Sequence, residues 1–201
     1  MSSDYLGHGS FIAALIGGEC AEYQGLAHGS RLMIYQVFAD DNAEQTALAQ
    51  AVYDAVEDGA EIINLSLSLP LQGDIAAELD EALDYALAKK VPIVAAAGNY
   101  GGAEWTLSYP ARKQGVIAVG TLITKEGYAL GRGINLQEDF VPYYSSRAAE
   151  SYTEFLLAPG CAVSAMPSWA EEGYMFDEGS STAAAVVTAS LAASRHGTGA
   201  G

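Results

Sequence analysis

The chain has 201 residues, half of them apolar, enough for one globular domain with a sizeable buried core. Its 25 acidic residues outnumber 9 basic ones, for a formal net charge of -16, so the clustered Lys and Arg that grip a phosphate backbone are missing and nucleic acid is not an expected partner. No apolar run reaches the roughly 18 residues that cross a bilayer and no export pattern opens the sequence, so no membrane partner is expected and the location is cytoplasmic by default.

In chain order, the first feature is a histidine between glycines, Gly7-His8-Gly9-Ser10, before an apolar run. Residues 10–17 read as a helix stopped by Gly17-Gly18. Residues 31–38 (RLMIYQVF) read as a strand, and 42–58 as an amphipathic helix with Leu48, Val52, Ala55 and Val56 on its apolar face and Gly59 as its stop. A strand at 62–67, a helix at 75–89 with Leu79, Leu83 and Ala86, and a strand at 91–97 ending in Gly98-Asn99 repeat the alternation. Further strands are expected at 115–121 and 155–158. Residues 181–194 (STAAAVVTASLAAS) form a helix so rich in small and apolar residues that most of its sides must be buried.

Strands apolar on both faces, separated by helices, imply an α/β fold of three layers: a mostly parallel central sheet with helices on both faces. Residues 1–194 read as one domain and 195–201 as a flexible tail. Cys20 and Cys161 have no metal-ligand spacing and read as free or structural; no metal or other cofactor is expected.

In such a sheet, functional groups gather at strand carboxyl ends and helix starts. His8, Asn99 and Ser181 all occupy such places. A serine at a helix start has its oxygen at the positive end of the macrodipole and a free N–H beside it, Asn99 offers an amide donor, and His8 offers a base. Taken singly, each also fits a plain role: His8 as a surface or capping residue, Ser181 as an N-cap, Asn99 as a turn residue. The glycines of Gly98-Asn99-Tyr100-Gly101-Gly102 lack any phosphate-loop pattern.

Together and in order, these segments resemble the subtilisin-like serine proteases. Gly7-His8-Gly9-Ser10 resembles the family's His-Gly-Thr-His motif, Ala95-Ala96-Ala97-Gly98-Asn99 its oxyanion segment, and Gly179-Ser180-Ser181-Thr182-Ala183 its Gly-Thr-Ser-Met-Ala nucleophile motif. Ile63-Asn64-Leu65-Ser66-Leu67, Tyr109-Pro110, Val116-Ile117-Ala118-Val119-Gly120, Tyr144-Ser145-Ser146 and Ala158-Pro159-Gly160 fall between them in the family's order. The resemblance implies Ser181 as acylating nucleophile, His8 as general base and acid, and Asn99 as oxyanion donor. It also implies that a polypeptide substrate pairs as an added strand with Ser66, Leu67 and Ser68 and with Ala97 and Gly98, with Ser108 at the base of the main specificity pocket.

Departures from the pattern are Phe11 for the motif's second His, Thr182 for the usual Met, Ala185 and Val186 for a Pro and a His, and Ser68-Leu69 where Gly-Gly is common. The connection between Gly17 and Ala27 is too short for the calcium loop of many relatives. More consequential, the family's third catalytic residue, a strand-borne aspartate upstream of the histidine, has no counterpart here; Asp4, four positions before His8, matches a loop acid instead. Without that strand, a row of N–H and C=O groups inside the sheet lacks a partner. The expectation is therefore a serine endopeptidase whose aspartate strand comes from a second polypeptide or another segment. The alternatives are a pseudo-protease that binds peptides or acts as a scaffold, and a truncated frame with no independent function.

Overall fold

The computed structural model describes residues 4, 6–20, 23–38, 44–103, 106–150, 152–166 and 173–197. In chain order the elements are α1 (His8–Gly17), β1 (Glu19–Cys20), β2 (Tyr23–Gln24), α2 (Gln45–Glu57), β3 (Ile63–Leu65), α3 (Ala77–Ala88), β4 (Ile93–Ala96), β5 (Ile117–Leu122), α4 (Lys125–Arg132), β6 (Phe155–Pro159), β7 (Cys161–Ala165), β8 (Tyr174–Glu178) and α5 (Ser180–Gly197).

Strands β3, β4, β5 and β6 form one sheet in that order, every pair parallel. Register aligns Leu65 with Ala95, Ala95 with Ala118, and Ala118 with Phe155, and this row packs toward α2 and α3. The alternate row, with Val94, Ala96 and Val119, packs under Ala183 and Ala184 of α5. Period-two side-chain alternation thus builds a core on each face, the layered arrangement that apolar strands between helices require. Helix α1 lies on the α5 side, with Phe11, Ile12, Leu15 and Ile16 against Ala185 and Ala189. Phe11, which stands in a histidine's place in the resembled motif, is fully buried there. Phe11→Ala should lower stability by about 3–5 kcal/mol, read as a drop in the urea midpoint with an unchanged slope.

Predicted boundaries shift by a few residues, and four differences have physical causes. Residues 31–37 form no strand and Phe38 forms only an isolated bridge. Tyr35, Val37 and Phe38 do pack on the core, but no described strand lies beside this segment to complete a ladder, and Ile34 is 71% exposed. The helix read as ending at 194 continues to Gly197, held where Arg195 donates to the Glu61 carbonyl at 3.1 Å; the remainder of the expected tail, 198–201, lies outside the described residues. Helix α4 was hidden by two internal glycines, yet it carries a start signal in Thr124, whose hydroxyl oxygen accepts from the Gly127 N–H, and a stop in Gly133. The antiparallel β7–β8 hairpin was also missed, because neither of its strands, CAVSA and YMFDE, alternates apolar with polar residues. Cys161 is buried and free; the Cys20 side chain lies outside the described set.

Candidate active site

The carboxyl ends of β3 and β4 meet the N-terminus of α5, which brings Asn99 and Ser181 together, and His8 at the start of α1 lies within electrostatic reach of Asp177, just before α5. Beyond β4 the chain turns at Gly98, whose φ of 105° suits glycine, and Asn99 follows at the surface. The Asn99 Oδ1 accepts from the Ser180 N–H at 3.1 Å, and Ser180 Oγ accepts from the Gly98 N–H, also at 3.1 Å. This exchange fixes the amide's orientation, with its oxygen on the Ser180 N–H and its Nδ2 left without a hydrogen bond to the described residues. Gly179 permits the approach, since a Cβ there would stand 3.1 Å from Asn99 Nδ2.

Ser181 is the second residue of α5. Its hydroxyl donates to the Ser66 carbonyl at 3.1 Å, not to His8. His8 is the first residue of α1 and is half-buried. Its ring has no hydrogen bond to the described residues. Burial holds the imidazole below its ordinary value; the negative charges of Asp177 and Asp4 oppose that shift without reversing it. The neutral ring, the form that accepts a proton, therefore persists to lower pH than in a free histidine. If His8 limits acylation, the rate should rise with pH through a midpoint below 6.5, and Asp177→Asn should move that midpoint lower still, as read from a pH profile of probe labelling.

Asp4 is engaged elsewhere. Its Oδ1 accepts from the Gly7 N–H at 2.9 Å and its Oδ2 from the Ser10 N–H at 2.7 Å, so it caps the start of α1. Burial alone would raise its carboxyl, but these N–H groups hold it below the usual carboxylate value.

The expected substrate edges lie on either side of this cluster. Ser66 and Leu67 are buried, Ser68 is half-buried, and Ala97 and Gly98 are buried. Ser108 is fully buried, and both its N–H (2.9 Å) and its hydroxyl (3.0 Å) donate to the Ala97 carbonyl, so it braces the Ala97–Gly98 edge. Tyr100 crosses between the two edges, its ring against Gly98 and its hydroxyl donating to the Leu69 carbonyl at 3.4 Å.

Sequence reasoning passed over Asn64, Ser180 and Thr188. Their signal was a polar residue inside an otherwise apolar strand or helix, legible in the sequence but pointing nowhere until the partners are known. Among the described residues no group of three or more His, Cys, Asp or Glu could hold a metal ion, and no helix is long and apolar enough to cross a membrane.

Comparison with known proteins agrees with this geometry. The model of the subtilase family (peptidase S8) matches residues 1–198. Subtilisin DY of Bacillus licheniformis is 30% identical over 161 residues, covering 76% of this chain and 58% of that protein. The major intracellular serine protease of Bacillus subtilis (strain 168) is 38% identical over 127 residues, covering 60% of this chain and 39% of that protein. Among solved structures, the prenylagaramide maturation protease PagA superposes with a TM-score of 0.76 at 28% identity, covering 93% of this chain and 63% of that one. The S41 psychrophilic protease does so with a TM-score of 0.79 at 25% identity, covering 99% and 66%. The chain thus spans less than two thirds of these relatives' lengths, but the family model covers nearly all of it and its fold superposes on theirs, and it belongs to the subtilase family.

Proposed function

We propose that this chain is the larger part of a serine endopeptidase. Ser181 Oγ attacks the scissile carbonyl as its proton leaves the Ser66 carbonyl for the His8 imidazole. The tetrahedral oxyanion is met by Asn99 Nδ2 and by the Ser181 N–H at the start of α5. When the C–N bond breaks, His8 returns the proton to the leaving amine, and water then hydrolyses the acyl-enzyme by the same route. The substrate is an extended polypeptide added as a strand along Ser66, Leu67 and Ser68 and along Ala97 and Gly98.

The observation that carries this reading is the Asn99–Ser180 exchange, which holds the Asn99 amide next to the nucleophile by its oxygen and leaves its Nδ2 free to donate. A module that only binds peptides has no chemical need for a base, a nucleophile and an aimed oxyanion donor together.

An aspartate strand is part of the proposal. Among the described residues nothing pairs with the outer edge of β3, and Asp4 is committed to capping α1. A strand from another polypeptide or another segment, laid on the β3 edge, would supply both the ladder partner and the carboxylate that orients His8. Covalent labelling of Ser181 by a fluorophosphonate, with and without such a strand, tests the reading. Peptide binding without labelling would favour a pseudo-protease.

A further inference from the structure

We infer that Asn64 and Thr188 are positioning residues that set the register of α5 on the sheet and thereby place Ser181; the inference rests on the reading of Ser181 as nucleophile. Asn64 lies in the middle of β3, in register with Val94, on the row that faces α5. Its Oδ1 accepts from the Thr188 hydroxyl at 2.8 Å, and its Nδ2 donates to Ser66 Oγ at 3.0 Å. Ser66 Oγ in turn donates to the Ser181 carbonyl at 2.7 Å, and Ser181 Oγ donates to the Ser66 carbonyl at 3.1 Å. The donors run in one direction from Thr188 to Ser181, and each hydroxyl is used once as a donor.

Thr188 stands about two helical turns beyond Ser181, roughly 10 Å along the same face. The chain of bonds therefore pins α5 to β3 at two separated points and fixes both rotation and axial position. Apolar packing adds less to this near the site. The fully buried apolar side chains of α5 are small, Ala183, Ala184, Ala185 and Ala189, and methyl groups make shallow ridges that resist sliding less than branched side chains do; Val186, Val187 and Leu191 pack on the core only in part. Asparagine suits the central place because the site needs an acceptor toward Thr188 and a donor toward Ser66, and a carboxylate has no donor.

The test uses the whole chain with three substitutions: Asn64→Ala, Thr188→Val and Thr188→Ser. Thr188→Val keeps the branched shape and removes only the hydroxyl, so it informs even if Asn64→Ala fails to fold. Amide exchange over residues 180–188 should quicken about tenfold in Thr188→Val with α2 and α3 unchanged, and fluorophosphonate acylation of Ser181 should slow about tenfold. Thr188→Ser should restore both. Unchanged exchange in α5, exchange that rises evenly through the chain, or acylation at the original rate would each overturn the inference. If the unsubstituted chain is not labelled under any condition, the peptidase reading fails, and the exchange measurement alone decides whether Asn64 and Thr188 hold α5.

Discussion

A fluorophosphonate should label Ser181 roughly 10⁴-fold faster when the chain is produced together with an aspartate-bearing strand, such as the corresponding segment of subtilisin DY, than when it is produced alone. That size is the known cost of losing the aspartate in subtilisin, about 3 × 10⁴-fold in kcat, and is not a quantity this structure yields. The dependence is expected from the surroundings of His8 and Asp4. The His8 ring is half-buried and has no hydrogen bond to the described residues that would fix its tautomer, and its burial disfavours the imidazolium that must form during catalysis. Asp4, the nearest acid in sequence, already has both oxygens bound by the Gly7 and Ser10 N–H groups. A carboxylate arriving on the β3 edge would supply orientation and charge together. Ser181→Ala and His8→Ala should each abolish the labelling in either condition. Full-rate labelling of the lone chain would show that no strand is needed, and the proposal of a divided enzyme would then fall.

Asn99→Ala should slow acylation about 10²- to 10³-fold, the cost known for the corresponding donor in subtilisin, with little change in the affinity for an unreactive peptide. Asn99 is surface-exposed, so few apolar contacts are lost and the stability cost should be small. The main structural loss is the Oδ1 that accepts from the Ser180 N–H. Asn99→Asp separates the two roles: it keeps the acceptor for Ser180 and replaces the Nδ2 donor with an acceptor and a negative charge. Acylation by Asn99→Asp at or below the Asn99→Ala rate would identify the donor as the part that matters. A rate near that of the unsubstituted chain would remove Asn99 from the proposed oxyanion site.

The parallel α/β architecture was legible because β3, β4 and β5 are apolar on both faces and the helices between them carry apolar residues at helical spacing. The ordered motifs likewise located His8, Asn99 and Ser181, because each sits at a backbone position, a helix start or a strand end, that glycine and capping chemistry mark locally. Only the tertiary structure decided what those residues touch. That Asp4 caps a helix, that Ser108 braces the Ala97 carbonyl, and that residues 31–37 run extended without a ladder all depend on groups distant in sequence. Local pattern measures a segment's own preference, whereas a hydrogen bond or a strand pairing needs a partner that only the folded chain brings near. Asn64 shows the division most plainly: its polarity within an apolar strand was visible from the start, but the partners that explain it, Thr188 and Ser66, meet it only when α5 lies across the sheet.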